Sequence, residues 1–272
     1  PSSEFCPFCG SPLKDEVKLL KPWGFAPLNH TSIPEAQAEV EFSYAEDPCY
    51  FAEPSHQDLQ DIGCSHITAA RRPDKITIIN KGVQGEGFNV CRICGAAEAI
   101  QPRFDTDKSK PLYGVYRPYA SPRVSPCNHS PEKVYLGHTF ATDMVVFEFA
   151  LGESFINTES QNLWIKKAAV TLTEAFKLAA SRVLDIEFTD LNAGYRIHRS
   201  SGMVYVDIYL YDNLSSGAGY SAGLLQVTDQ LMECAEELLK DCTCDSACYS
   251  CLKHYWNQRN HVELKRQAAL DL

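Results

Sequence analysis

Cysteine is the residue type in this chain that most clearly offers metal-binding or redox chemistry, since twelve of the 272 residues are Cys. The densest cluster has four thiols within ten residues near the C terminus. Its members are Cys242, Cys244, Cys248 and Cys251. Tetrahedral zinc takes four thiolates at about 2.3 Å, and a short irregular loop can bring four cysteines with this spacing in the sequence to one ion. We therefore predict a closed, structural zinc site in this cluster.

Two further cysteine pairs lie far apart in the first half of the chain, and each has the form Cys-x-x-Cys-Gly, here called a knuckle. The knuckle cysteines are Cys6, Cys9, Cys91 and Cys94. We predict that these four share a second zinc ion, because a glycine after the second cysteine lets backbone N–H groups turn towards the sulfurs. An alternative ligand set pairs one knuckle with Cys127 and His129. Cys49, Cys64 and Cys234 have no partner by spacing, and Cys234 is expected to be a core thiol of a helix.

The charge distribution separates an acidic stretch from a basic one. The net charge of −10 argues at first sight against a nucleic-acid binder, whose footprint is usually basic. However, residues 31–70 contain eight acids and neither Lys nor Arg, so this stretch alone contributes −8. Between residues 103 and 123, five cations alternate with aromatic residues, a mixture that can neutralise phosphates and stack on unpaired bases.

The predicted nucleic-acid contacts comprise this segment and a second basic group near the C terminus. They are Arg103, Lys108, Lys110, Tyr113, Tyr116, Arg117, Arg123, Lys253, Arg259, Lys265 and Arg266. The alternative interpretation of both groups is an ordinary solvated charged surface that contacts no nucleic acid. The acidic stretch could in turn dock a basic partner or imitate DNA electrostatically.

No catalytic residues are predicted. The sequence has no Gly-x-x-x-x-Gly-Lys-[Ser/Thr] motif, so this chain by itself is not an ATP motor. The small residues within 211–220 could hold a phosphate at a helix N terminus, but a tight strand–helix turn is the favoured interpretation. Asp207 and Asp212 stand among tyrosines and are interpreted as polar-face residues. A hydrolase or nuclease that uses either carboxylate is the less favoured alternative.

The elements that must position these groups divide the chain into two domains, 1–140 and 141–272. The first is rich in Pro, Gly and aromatic residues and is expected to be a zinc-ribbon-like lobe with a long insertion. The second alternates strands and helices with clear periodicity. Its predicted strands are 143–150, 186–188, 195–198 and 203–211, its predicted helices are 162–184, 222–240, 252–258 and 262–270, and one further strand, 74–80, lies in the first domain. The predicted fold class is α+β, with a mixed sheet, packed helices and the four-cysteine zinc loop.

The compartment expected from the sequence is the cytoplasm. No apolar stretch follows the N terminus as in a signal peptide, and none approaches the ~18–20 residues of a membrane span. Clustered cysteines without such a signal favour metal binding in a reducing environment over disulfides. Because the chain opens on Pro1, close to a knuckle, we expect it to be the C-terminal part of a larger protein.

Residues 136–272 resemble the MrfA-type zinc-binding domain, which occurs at the C-terminal end of superfamily 2 helicases and of their phage-defence relatives. The matching residues are Leu136-Gly-His138-Thr-Phe-Ala-Thr142-Asp143, the turn Tyr211-Asp212…Gly217-Ala-Gly219-Tyr220, and the Cys242…Cys251 cluster with Leu252, Tyr255 and Asn257. The segment 82–97, with its knuckle, is similar to the region that precedes this domain in Druantia and DISARM components. The resemblance implies zinc on the four clustered cysteines and an accessory role beside a DNA motor.

The predicted function is thus that of a C-terminal zinc-binding accessory module of an ATP-dependent DNA helicase or translocase in bacterial antiphage defence. The module would guide DNA or dock on the motor domains, which lie upstream in the same chain or in a separate subunit. The expected partners are those motor domains and DNA, without a membrane. The alternative is a protein-interaction scaffold whose acidic 31–70 face docks a partner without touching DNA.

Overall fold

A computed structural model describes residues 18–22, 49–50, 59–63, 66–71, 74–82, 85–100, 129–151, 159–200, 202–214 and 217–272. These residues fall into two compact units. The larger unit contains the described parts of 48–76 together with 140–272, and the smaller one contains 18–22 and the described parts of 77–139. The predicted contacts between residues 103 and 123 lie outside the described residues, as do Cys6, Cys9, Cys64 and Cys127.

The fold is α+β, with two sheets and several helices. The strands are β1 (Lys18–Leu20), β2 (Cys49–Tyr50), β3 (Gln60–Asp61), β4 (Ile67–Arg71), β5 (Asp74–Asn80), β6 (Phe88–Val90), β7 (Ala97–Ala99), β8 (Glu132–Thr142), β9 (Met144–Leu151), β10 (Leu191–Ser200) and β11 (Met203–Asp212). The α-helices are α1 (Glu159–Val183), α2 (Tyr220–Gly223), α3 (Thr228–Lys240) and α4 (Arg266–Leu270), and 3₁₀ helices span Leu224–Gln226 and Tyr255–Asn260. None of the helices in these residues is long and apolar enough to cross a membrane.

The sheet of the larger unit has five strands in the order β10-β11-β9-β4-β3. All four neighbouring pairs are antiparallel, and β11 lies between β10 and β9. The predicted strand 203–211 is confirmed, and its side chains alternate: Val206 and Ile208 belong to the apolar core, while Tyr209 and Tyr211 point to the other face. Both sets of side chains are buried.

Helix α1 covers one face of this sheet and packs on β10 and β11. Its Phe176 ring meets the rings of Phe147 and Phe149 edge-on, with centroids 5.3 and 5.9 Å apart. Helices α3 and α4 pack on α1 in turn. The apolar side of α3, with Leu231 and Leu238, closes the core. Helix α3 precedes the four-cysteine cluster in the chain and α4 follows it, so both sides of the cluster are anchored on the core.

The second sheet has six strands in the order β2-β5-β8-β6-β7, with β1 paired in parallel to β8. Strands β6 and β7 form a short antiparallel hairpin, and the second knuckle is the connection between them. This second sheet is mixed, because β1 is parallel to β8 whereas β6 is antiparallel to β8. The sequence predicted a mixed sheet beneath the helices, and that sheet proves to be antiparallel.

Four predicted elements differ from the observed ones. Residues 186–188 lie in the connection between α1 and β10 and not in a strand, and Asp185, just after α1, has φ of +52°. The predicted helix 222–240 is interrupted at Val227, whose φ of −126° is not helical. The C-terminal helices are shorter than predicted and occupy Tyr255–Asn260 and Arg266–Leu270. The strand Asp74–Asn80 has the predicted limits.

Candidate metal centre

The four C-terminal cysteines converge on one point between α3 and α4. The Sγ atoms of Cys242 and Cys248 are 3.6 Å apart, and those of Cys244 and Cys251 are 3.8 Å apart. All four sulfurs lie within 4.8 Å of one another. A tetrahedron with Zn–S bonds of about 2.3 Å has edges of about 3.8 Å, so this spacing is that of a zinc–tetrathiolate site.

The local backbone explains how ten residues bring four thiols together. The N–H of Cys248 donates to the Cys251 sulfur at 3.1 Å, and the N–H groups of Cys251 and Lys253 donate to the Cys248 carbonyl at 3.1 and 2.9 Å. Arg266 closes the loop from the other side, since its guanidinium donates to the Leu239 carbonyl at 2.8 Å and to the Cys244 carbonyl. The ends of α3, the cysteine loop and α4 are thus joined through one buried arginine.

Two thiols of the cluster have pKa values that are shifted in opposite directions. Burial and the surrounding thiols raise the pKa of Cys244 to about 12. The backbone N–H of Ser250 and the Cys242 side chain lower the pKa of Cys248 to about 6. Because zinc binds thiolates, binding of zinc at neutral pH must release the proton of Cys244. Cys244 therefore becomes a thiolate at neutral pH only when a cation compensates its charge.

A second group of ligand-type side chains lies in the smaller unit. The Sγ of Cys91 is 3.7 Å from Nδ1 of His129, and these two atoms and the Cys94 sulfur all lie within 4.8 Å of one another. Cys91 is buried and His129 is exposed. His129 belongs to the alternative ligand set, whereas Cys6, Cys9 and Cys127 lie outside the described residues.

The knuckle around Cys91 and Cys94 has the backbone that its sequence predicts. The N–H of Cys94 donates to the Cys91 sulfur at 3.5 Å, and the N–H of Gly95 donates to the Cys91 carbonyl at 2.9 Å. Gly95 has φ of +77°, which lies in the left-handed region that favours glycine. In this turn the N–H of Cys94 is directed at the Cys91 sulfur, and the N–H of Gly95 is directed at the Cys91 carbonyl.

The C-terminal basic residues divide into surface and buried ones. Arg259 and Lys265 are exposed and Lys253 is half-buried. Arg266 is 9% exposed and is occupied by the two carbonyl contacts described above, so it is removed from the predicted nucleic-acid contacts. Its role is to join the zinc loop to the helices.

The small-residue turn after β11 does not present its N–H groups to a ligand. Asp212 is fully buried, and its carboxylate accepts hydrogen bonds from the N–H groups of Ala218, Gly219 and Ser221 at 2.5, 2.6 and 2.8 Å. Gly217 approaches Asp143 so closely that a Cβ there would lie 2.6 Å from its carboxylate. The structure supports the favoured interpretation, a tight strand–helix turn.

Asp207 likewise has partners inside the protein. One of its oxygens accepts from Nε and Nη2 of Arg196 at 3.0 and 2.7 Å, and the other lies 3.2 Å from Nε2 of His198. The carboxylate of Glu148 is 3.8 Å from the same His198 nitrogen. Arg196 and His198 thus occupy both oxygens of Asp207, which disfavours Asp207 as a free catalytic carboxylate.

Sequence reasoning missed three exposed aromatic residues beside the zinc loop, which are Tyr249, Tyr255 and Trp256. The available signal was their place in residues 249–262, a stretch that contains Lys253 and Arg259 and neither Asp nor Glu. Cys234, in contrast, is a half-buried free thiol packed on the core, as predicted.

The class of this site follows from comparison with known families. Residues 172–252 match the family model of the MrfA Zn-binding domain. The matched segment contains all four clustered cysteines, which supports Zn²⁺ as the metal. The resemblance predicted from the sequence is thereby confirmed.

A relative extends the similarity to the whole chain. Druantia protein DruE of Escherichia coli is 31% identical over 293 aligned residues, which cover 100% of this chain and 15% of DruE. The chain thus spans only a small part of that relative's length. Two crystal structures of the helicase MrfA, bound to DNA and to DNA with AMPPNP, have TM-scores of 0.49 and 0.37. They are 11% and 12% identical and match over 84% and 76% of this chain, and over 24% and 22% of MrfA.

Proposed function

We propose that this chain is the C-terminal zinc-binding accessory module of a DNA helicase or translocase in bacterial antiphage defence. The observation that carries the proposal is the four-thiol centre within a segment that matches the MrfA Zn-binding domain. The similarity to Druantia protein DruE along the entire chain supports the link to defence. The ATP motor belongs to a partner region or subunit, and the complex acts in the cytoplasm.

The zinc loop and its surroundings supply the DNA contact of the proposed module. Lys253 follows the last zinc cysteine pair in the sequence. Arg259, in the 3₁₀ helix Tyr255–Asn260, and Lys265, directly before α4, are both exposed. Their positions relative to α1 and α3 depend on the loop that the metal closes. Zinc therefore acts structurally, by holding these cations on a rigid surface where they neutralise phosphates.

A second zinc ion is proposed for the smaller unit, on Cys91, Cys94 and His129. The three ligand atoms already lie within 4.8 Å of one another. In the alternative ligand set, which contains His129, the fourth ligand is Cys127. This would make the unit a zinc-ribbon-like lobe and would give two zinc ions per chain.

Zinc analysis and DNA titration test the proposal together. The purified chain should contain about two zinc ions, and its DNA affinity should fall with salt because released counterions oppose binding. A triple variant, Lys253→Ala, Arg259→Ala and Lys265→Ala, should bind more weakly and show a salt slope smaller by about 0.9 for each lost phosphate contact.

Lys240→Ala is the matched control, because Lys240 is an exposed lysine of α3 that is paired with Glu236. It should leave the affinity and the salt slope unchanged. If the chain contains zinc but binds no DNA at low or high salt concentration, the proposed DNA contact is wrong and the protein-interaction scaffold is favoured.

A further inference from the structure

Three aromatic side chains stand in solvent next to the zinc loop. Tyr249, Tyr255 and Trp256 are 71%, 71% and 68% exposed. Aromatic side chains of this size usually bury most of their surface, because each removes a large apolar area from water on folding. Three exposed aromatic residues within residues 249–256 therefore indicate an interaction site in this turn.

The three rings are connected through the turn that carries them. The rings of Tyr255 and Trp256 lie nearly perpendicular, with centroids 5.1 Å apart. Tyr249 meets the ring of His261 edge-on at 5.5 Å. His261 in turn places Nε2 at 2.9 Å from Oδ1 of Asn257, which adjoins Trp256. We call this surface, formed by Tyr249, Tyr255 and Trp256, the aromatic platform.

The platform is exposed although its backbone is firmly held. The His254 ring accepts the Trp256 N–H on Nδ1 at 3.2 Å, and its Nε2 lies 3.0 Å from Glu174 of α1. Asn257 donates to the Leu252 carbonyl at 2.8 Å and accepts the His254 N–H at 2.9 Å. These contacts join the turn to both α1 and the zinc loop. Rings on such a support lose little further conformational entropy when they bind.

The segment that carries the platform contains cations and no acidic residue. Residues 249–262 contain Lys253 and Arg259 and no acidic residue, in a chain whose net charge is −10. Arg259 is exposed within the same 3₁₀ helix as Tyr255 and Trp256. Cations interleaved with exposed aromatic rings are the combination by which proteins track a single strand, because phosphates meet the cations and base faces meet the rings.

We propose that the aromatic platform stacks on the unpaired bases of a DNA strand, with Lys253 and Arg259 at its phosphates. This inference rests on the proposed function and specifies its substrate as single-stranded DNA. A duplex covers the faces of its bases by stacking them on each other, so the platform has nothing to contact there except at ends. The module would therefore favour the strand that a motor has separated over the duplex ahead of it.

The test compares binding of oligodeoxythymidylate of about 15 nucleotides with a duplex of similar length, using the zinc-loaded chain. Trp256→Ala and Tyr255→Ala should each weaken single-strand binding about ten-fold, within the range reported for loss of one base–aromatic stack. Trp256→Phe keeps a stacking ring and should stay within about three-fold of the parent chain. Duplex binding should change little in any of the three.

Leu163→Ala is the matched control, since Leu163 is an exposed apolar residue of α1, outside residues 249–262. It should leave both affinities unchanged, and zinc content should be equal in all variants. Equal single-strand affinity in Trp256→Ala and the parent chain would overturn the platform. If the parent chain then still binds DNA with a salt slope that the triple cation variant reduces, the proposed function stands and only the stacking role fails. Absence of DNA binding by the parent chain would overturn both.

Discussion

The two thiol centres are embedded in very different surroundings. The four C-terminal thiols pack against the apolar core of the larger unit, where Leu252, Leu264 and Leu239 are nearly completely buried. In the described part of the smaller unit, the buried apolar cluster around the other centre consists of Cys91 and Ala96, with Cys94 packed on it. We expect a metal ion to have different tasks in these two places. In the first it would hold the ends of α3 and α4 on an existing core, and a metal ion at the second would have to take the place of a core.

The largest effect is expected from Cys251→Ser, which removes a buried ligand from the C-terminal centre. Zinc content should fall by about one ion per chain, and residues 242–272 should detach from α1. The free energy of unfolding should drop by about 5 kcal/mol or more, yet by less than the about 10–16 kcal/mol of zinc-finger peptides, since the apolar core remains.

Metal analysis and denaturant unfolding measure these two quantities. Cys234→Ala is the control, because Cys234 is a free thiol of α3 that is not part of either centre. If Cys251→Ser retained the full zinc content, the four-thiol assignment would be wrong.

The next effect tests whether the larger unit owes part of its stability to buried polar contacts. Asp212→Ala leaves three backbone N–H groups, of Ala218, Gly219 and Ser221, without their acceptor. Unfolding free energy should fall by about 3–5 kcal/mol, because each buried donor loses its partner. Zinc content should stay constant. Asp229→Ala, an exposed acid at the start of α3, should cost only about 0.5 kcal/mol in the same urea titration.

A more local effect is expected at the smaller centre. His129→Ala removes a candidate ligand there and should lower zinc affinity by about 100-fold or more, beyond the 10–100-fold effect of residues that only support ligands. Chelator competition measures this affinity. The C-terminal centre should keep its zinc, and the His138→Ala control, an exposed histidine of β8, should behave like the parent chain. Unchanged competition would show that His129 is not a ligand.

The smallest effect concerns the knuckle backbone. Gly95→Ala introduces a Cβ that meets no atom within 4 Å, so its cost is only the strain of φ at +77°. We expect about 1 kcal/mol, measured as reduced zinc affinity of the smaller centre. Gly95→Asn should cost less, because Asn tolerates the left-handed region better than Ala. A larger loss for Asn than for Ala would argue against backbone strain as the cause.

Much of the local structure could be predicted from spacing alone. The alternation of β11 and the limits of β5 follow from a period of two, and the four C-terminal thiols needed only a short loop to meet. The interruption of the helix at Val227 could not be predicted, since the 222–240 pattern stays amphipathic across it. The burial of Arg266 could not be predicted either. Arginine is usually an exposed cation, and here its burial depends on the carbonyls of Leu239 and Cys244.

The sequence by itself determined the zinc chemistry, because ligand type and short-range spacing are properties of contiguous residues. It also indicated the family resemblance that the MrfA Zn-binding domain model confirms. Only the tertiary structure decided which distant segments meet. Strand β4 pairs with β9 across more than seventy residues, and Cys91 meets His129 across 38. Such pairings depend on burial of whole faces and not on local pattern, so two ligand sets remained open in the sequence. The same packing left Tyr249, Tyr255 and Trp256 in solvent, which no count of aromatic residues could reveal.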